Sequence, residues 1–135
     1  MVTIKDKTLE ELDGERWAEP DHNSSLVLNC RRLRHIPLKN FTIEDLRLMI
    51  GQEIGLEYLI PLALEHLERN PFAEGDFYPG DLLKNVLEVR REFWNQHPDL
   101  RRKISSILED AVSNLDKIED AGIAESISNS LYGFG

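Results

Sequence analysis

A chain of 135 residues is the size of one domain built around a single core. With 41% hydrophobic and 30% charged residues it has an ordinary soluble composition, which argues against wholesale disorder. Its net charge of −9 argues against binding a phosphate backbone, which needs a basic face; it favours a basic partner, or serves only solubility.

Thr8-Leu9-Glu10-Glu11 is a capping box that opens a short helix, and Gly14 closes it. Residues 15–23 hold Trp17 and Pro20 with little periodicity and read as an ordered loop, with Trp17 packed at the edge of the core. Ser24 or Ser25 caps a second helix. Leu26, Val27, Cys30 and Leu33 form its apolar stripe, Asn29, Arg31, Arg32 and Arg34 face away, and Pro37 stops it. Thr42 caps a third helix, with Asp45 in the capping-box position and Ile43, Leu46, Met49 and Ile50 as the buried stripe. Leu56 to Asn70 is apolar on most sides, as a central helix is, and Pro61 inside it predicts a kink or a restart.

The segment Phe72-Ala73-Glu74-Gly75-Asp76-Phe77-Tyr78-Pro79-Gly80 mixes aromatics with turn formers and is expected to fold back onto the core. One long helix should follow, with Leu82, Leu83, Val86, Leu87, Val89, Phe93 and Trp94 on a broad apolar face. After His97-Pro98, Leu100, Ile104, Ile107, Leu108, Ala111 and Leu115 give the cleanest amphipathic pattern of the chain. Ile118, Ile123, Ile127 and Leu131 suggest a last, weaker helix interrupted by Gly122. The fold class is therefore all-α: a compact single-domain bundle of six to eight helices over residues 1–135.

Catalytic patterns are missing wherever they can be tested. No G-x-S-x-G elbow is present. The one Glu-x-x-His, Glu19-Pro20-Asp21-His22, lies in a loop and contains a proline. His22, His35, His66 and His97 have no ligand spacing, so no metal site is expected. Gly75 and Gly80 have the spacing that begins a phosphate loop, but Asp81-Leu82 follows where Lys-Ser/Thr is required. The carboxylate pairs Glu53/Glu57 and Glu88/Glu92 read as solvated helix faces. No enzyme activity and no cofactor are expected. Cys30 is the only cysteine, which fits a reducing compartment, and it reads as a small core residue. The N-terminus lacks an apolar signal core and no apolar run could span a bilayer, so a cytoplasmic protein without membrane contact is expected.

The negative charge is unevenly placed. Residues 1–21 carry three basic and seven acidic side chains, residues 22–103 carry twelve of each, and residues 104–135 carry Lys117 against six acids. If the chain ends meet, they make one acidic surface. The helix after Pro98 also has Arg101, Arg102 and Lys103 near its start and Glu109, Asp110 and Asp116 toward its end, with Glu119 and Asp120 following, against the preference of the helix dipole. Such a local conflict tends to mark a functional surface, unless bases from another helix pair with those acids.

Three blocks carry a resemblance: Thr42-Ile43-Glu44-Asp45-Leu46-Arg47-Leu48-Met49-Ile50-Gly51-Gln52, then Leu59-Ile60-Pro61-Leu62-Ala63-Leu64, then Gly75-Asp76-Phe77-Tyr78-Pro79-Gly80-Asp81-Leu82-Leu83. Phe93-Trp94 with His97-Pro98 continues it, and Thr8-Leu9-Glu10-Glu11-Leu12 resembles its opening. In this order the blocks resemble the immunity proteins of bacterial contact-dependent growth inhibition systems, over roughly residues 8–100. The resemblance implies a non-enzymatic protein that binds the C-terminal toxin domain, often a nuclease, of a cognate surface protein. It would be a monomer alone and a heterodimer with the toxin. The blocks are scaffold-type residues, so specificity is expected in what they leave open. Glu109, Asp110, Asp116, Glu119 and Asp120 are the leading candidates for toxin contact, and Asp76 and Tyr78 of the aromatic loop are the next. The competing reading is a small acidic helical adaptor or regulator that binds some other basic protein.

Overall fold

Side-chain oxygens positioned to accept the first free N–H groups decide where the early helices begin. In the computed structural model, which describes residues 3–17 and 24–134, Thr8 Oγ1 accepts from Glu11 N at 3.1 Å while Glu11 returns a carboxylate to Thr8 N at 3.2 Å. This box opens α1 (Leu9–Asp13), which ends at Gly14 with φ +72°. Ser24 caps α2 (Ser25–Leu33), and Thr42 with Asp45 caps α3 (Ile43–Gly51) with both arms of the box closed, at 3.1 and 3.0 Å. The remaining helices are α4 (Leu56–Arg69), α5 (Asp81–Leu87), α6 (Arg91–Gln96), α7 (Pro98–Ser113) and α8 (Ala121–Gly133). Three 3₁₀ turns, Ile4–Asp6, Leu38–Asn40 and Leu115–Lys117, complete an all-α fold with no strand among the described residues.

The core runs through α3, α4, α5 and α7. Helix α3 packs on α4 and α5, α4 also meets α7, and α8 lies across α5 and α7. Pro61 sits within one continuous α4, so of the expected kink or restart the restart does not occur. The proline costs about 3 kcal/mol in a helix interior. Leu56, Leu59, Ile60, Leu64 and Leu67 on the same helix are all buried, and each contributes about 1.5–3 kcal/mol on burial. Packing therefore outweighs the local defect. The carbonyl that loses its donor belongs to Glu57, an exposed position where water can replace it.

Five other expectations change. The long helix after Gly80 is two helices, because Arg90 is extended (φ −53°, ψ 144°) between α5 and α6. Glu53 Oε1 accepts from the Arg90 guanidinium at 2.9 Å and from Arg90 N at 3.4 Å, which anchors the break. Helix α7 ends at Ser113, so Leu115 belongs to the following 3₁₀ turn, and Gly122 sits in the first turn of α8 without interrupting it. Leu26 and Val27 stay about 40% exposed, because the described part of the fold covers α2 only at Cys30 and Leu33. Arg34 does not face away: it is 2% exposed and donates to both Asp13 carboxylate oxygens, at 2.9 and 2.8 Å, and to Glu15 O at 2.7 Å. Its guanidinium also lies over the Trp17 ring, which is half-buried at the core edge as expected. The loop reading over 18–23, with Glu19-Pro20-Asp21-His22, lies outside the described residues.

The N-terminal acids are largely spent within the fold. Asp6 pairs with Lys39, Asp13 with Arg34, and Glu10 with His35 and Arg16. The N-terminal segment bonds to Arg34, Leu38 and Tyr58, whereas α8 packs on α5 and α7. The two acidic ends thus dock on different parts of the bundle.

Candidate functional site

The loop between α4 and α5 is shaped by one buried carboxylate. Asp81, the first residue of α5, is 2% exposed. Its Oδ1 accepts from Gly75 N at 2.7 Å and its Oδ2 from Phe77 N at 3.1 Å. Glu44 on α3 accepts from Asp76 N at 2.9 Å and holds Arg47 by two bonds of 2.6 Å. The Arg47 guanidinium beside it, with the Asp76 N–H, keeps the Glu44 carboxyl below the usual range. Arg47 in turn approaches Asp81 at 3.9 Å and lies 4.4 Å from the centre of the Phe77 ring. A Cβ on Gly75 would meet Glu44 Oε1 at 2.6 Å, so a side chain there would push Glu44 off its bonds. Gly80 needs glycine twice: φ is +91°, and a Cβ would run into the Ile127 methyl of α8.

Part of this loop folds onto the core as expected, with Phe72 and Ala73 buried. Phe77 does not: it is 66% exposed, backed on one face by Arg47. The exposed aromatic of the loop is therefore Phe77, while Tyr78 is half-buried and its carbonyl accepts from Asp81 N. Asp76 keeps its side chain exposed while its N–H is tied to Glu44.

Across from the loop runs the segment that joins α7 to α8. Between the two lies a groove of about 560 Å³. Phe72, Pro79, Ile118 and Ile123 supply its apolar lining, and Glu74, Glu119 and Asp120 supply carboxylates against the single Lys117. Asp120 also caps α8, accepting from Ile123 N at 3.0 Å. The structure thus brings Glu119 and Asp120 together with the aromatic loop, two regions far apart in sequence.

The other acids stand elsewhere. Glu109 is exposed on a second recess, beside Arg101 and Arg102. Asp110 is exposed and receives the Asn114 amide at 3.1 Å. Asp116 is exposed in the turn before Lys117. Among the described residues none of these five acids forms an ion pair, so bases from another helix do not neutralise them. Sequence reasoning missed Phe72, Ile118 and Ile123 as groove lining. The one available signal was the five-residue step from Ile118 to Ile123, which departs from the helical repeat and falls where the chain passes from the 3₁₀ turn into α8.

Fold and surface together define a small, acidic, all-helical binding domain. A family model described as CDI immunity proteins, where CDI is contact-dependent growth inhibition, matches residues 11–104, and the chain belongs to that family. A search among curated proteins returns no match. Membership implies a cognate toxin protein as partner, and proteins of this family generally act without enzymatic activity. The family match contains the Glu44–Arg47–Asp81 network and the loop it shapes, but stops before Glu109. One wall of the groove is thus family scaffold, and the other lies beyond the match. No helix of the described residues is long and apolar enough to cross a membrane.

Proposed function

We propose that this protein binds its cognate toxin domain, a nuclease, in the cytoplasm through the groove between residues 70–79 and 117–123, and thereby neutralises it. The observation that carries the reading is the groove itself: carboxylates Glu74, Glu119 and Asp120 over an apolar lining, one wall of it formed by the loop that exposes Phe77. A nuclease holds phosphates in a basic cleft, so Lys and Arg side chains of that cleft complement the carboxylates, while Phe77 serves as the aromatic anchor. Asp76, Tyr78 and Asp116 flank the contact. Glu109 and Asp110 lie outside its centre and act at most on long-range attraction.

Kinetics of binding to the purified toxin domain at two salt concentrations test this. The triple variant E74Q/E119Q/D120N keeps a capping side chain at position 120. It should associate more slowly, lose most of the salt dependence and dissociate faster, whereas E109Q/D110N should change only the association rate. Unchanged kinetics in the triple variant would move the interface elsewhere on the molecule.

A further inference from the structure

A different observation concerns Trp94. Its ring is 1% exposed, edge-on to Phe93 and Phe134 with centroids 5.3 and 5.6 Å away, and its indole N–H is buried without an acceptor. Folded proteins leave few such donors unpaired, because each unmade bond costs about 1–3 kcal/mol. The ring lines two recesses that share Trp94 and Arg101, of about 280 and 490 Å³. Arg90 and Arg91 line the first and Arg102 the second. Arg90 is matched by Glu53 at 2.9 Å. Arg91, Arg101 and Arg102 make no ion pair among the described residues, although Glu88 and Glu109 each line one recess. Arg101 instead stacks over the Phe134 ring at 5.4 Å. Its place near the start of α7, with Arg102 and Lys103, opposes the helix dipole, a conflict that a bound anion would relieve.

We infer that Trp94, Arg91, Arg101 and Arg102 form a binding site for one small oxyanion, either the carboxylate of a partner's acidic side chain or a phosphate ion. Planar guanidinium forks suit both groups, and Trp94 on the same wall holds a buried indole N–H that still lacks an acceptor. The net charge of −9 repels a polyanion, so a single anionic group is the fitting ligand rather than a nucleic acid. The site is separate from the acidic groove and does not rest on the toxin reading.

The chain has two tryptophans, so the full-length protein labelled with nitrogen-15 gives two indole N–H resonances, assigned with W17F. Sodium phosphate and N-acetylglutamate are titrated separately, with chloride holding the ionic strength constant. The Trp94 resonance should shift saturably while that of Trp17 stays, and R101Q should weaken the apparent affinity at least about tenfold. If R101Q does not fold, R91Q and R102Q, at exposed positions, carry the same expectation. R32Q should bind as wild type, and so should E119Q/D120N, which separates this site from the groove. Saturation by phosphate alone assigns a free phosphate site; saturation by N-acetylglutamate assigns a partner carboxylate. No saturable shift with either probe, parallel shifts of both indoles, or an undiminished response in the arginine variants would overturn the inference.

Discussion

Asp81→Asn is the sharpest perturbation of the groove's scaffold, because it changes charge and hydrogen bonding without changing shape. Asp81 accepts two backbone N–H groups of the loop, one on each oxygen. The asparagine amide can satisfy one and must present its own donor to the other. A buried donor facing a donor costs about 1–3 kcal/mol, and bonds to a charged acceptor lie in the upper part of that range. Arg47 keeps both bonds to Glu44, so no buried charge is orphaned and the loss should stay near 2–3 kcal/mol. Unfolding entropy of about 2.1 cal/mol/K per residue over 135 residues gives about 0.28 kcal/mol/K, so the melting temperature should fall by about 7–11 °C. Thermal unfolding followed by circular dichroism measures this, and toxin affinity should fall with it, because the Glu74–Pro79 wall loses its anchor. A melting temperature within about 2 °C of wild type would refute the claim that Asp81 holds the loop.

Trp94→Ala should destabilise by about 3–5 kcal/mol, since the ring is almost fully enclosed between Phe93 and Phe134; denaturant unfolding checks it, and an unchanged midpoint would mean that the ring contributes nothing to the fold. Gly80→Ala forces a methyl toward Ile127 at φ +91° and should lower the melting temperature and loosen α8, read as faster amide exchange in residues 123–131. The carboxyls of Glu44 and Asp13 are held low, each first by the hydrogen bonds of its arginine. Each binds a proton more readily in the unfolded chain, whose ordinary values are 4.5 and 3.8. Their stabilisation is therefore complete above about pH 5 and lost as pH falls through and below those values. E44Q should flatten the acid limb of the stability curve, and a limb as steep as wild type would show that Glu44 does not contribute to it.

What the sequence discloses about this fold is local or periodic. The two capping boxes, Gly14 and the stripe of α7 are legible because one turn of chain contains both partners or the repeat itself. What it conceals depends on partners far along the chain. The break at Arg90 keeps the helical phase from Val86 through Val89 to Phe93, so periodicity runs straight over it, and its partner Glu53 lies far back in the sequence. Arg34 reads as a solvated cation until Asp13, Glu15 and Trp17 surround it. Pro61 reads as a local defect, whereas burial of Leu59, Ile60, Leu64 and Leu67 around it decides the outcome. The candidate surface divides in the same way. Charge counting finds the acids after residue 103, but not that Glu119 and Asp120 face Glu74 while Glu109 sits beside Arg101 and Arg102.

Growth rescue is the test of toxin neutralisation by direct binding. A cognate toxin domain is induced in the cytoplasm of a susceptible bacterium, with this chain, with E74Q/E119Q/D120N, or with an unrelated immunity protein. Colony counts should recover fully with the wild-type chain, only in part with the triple variant, and not at all with the unrelated protein. No recovery with the wild-type chain, when both proteins are present and folded, would contradict neutralisation by this protein.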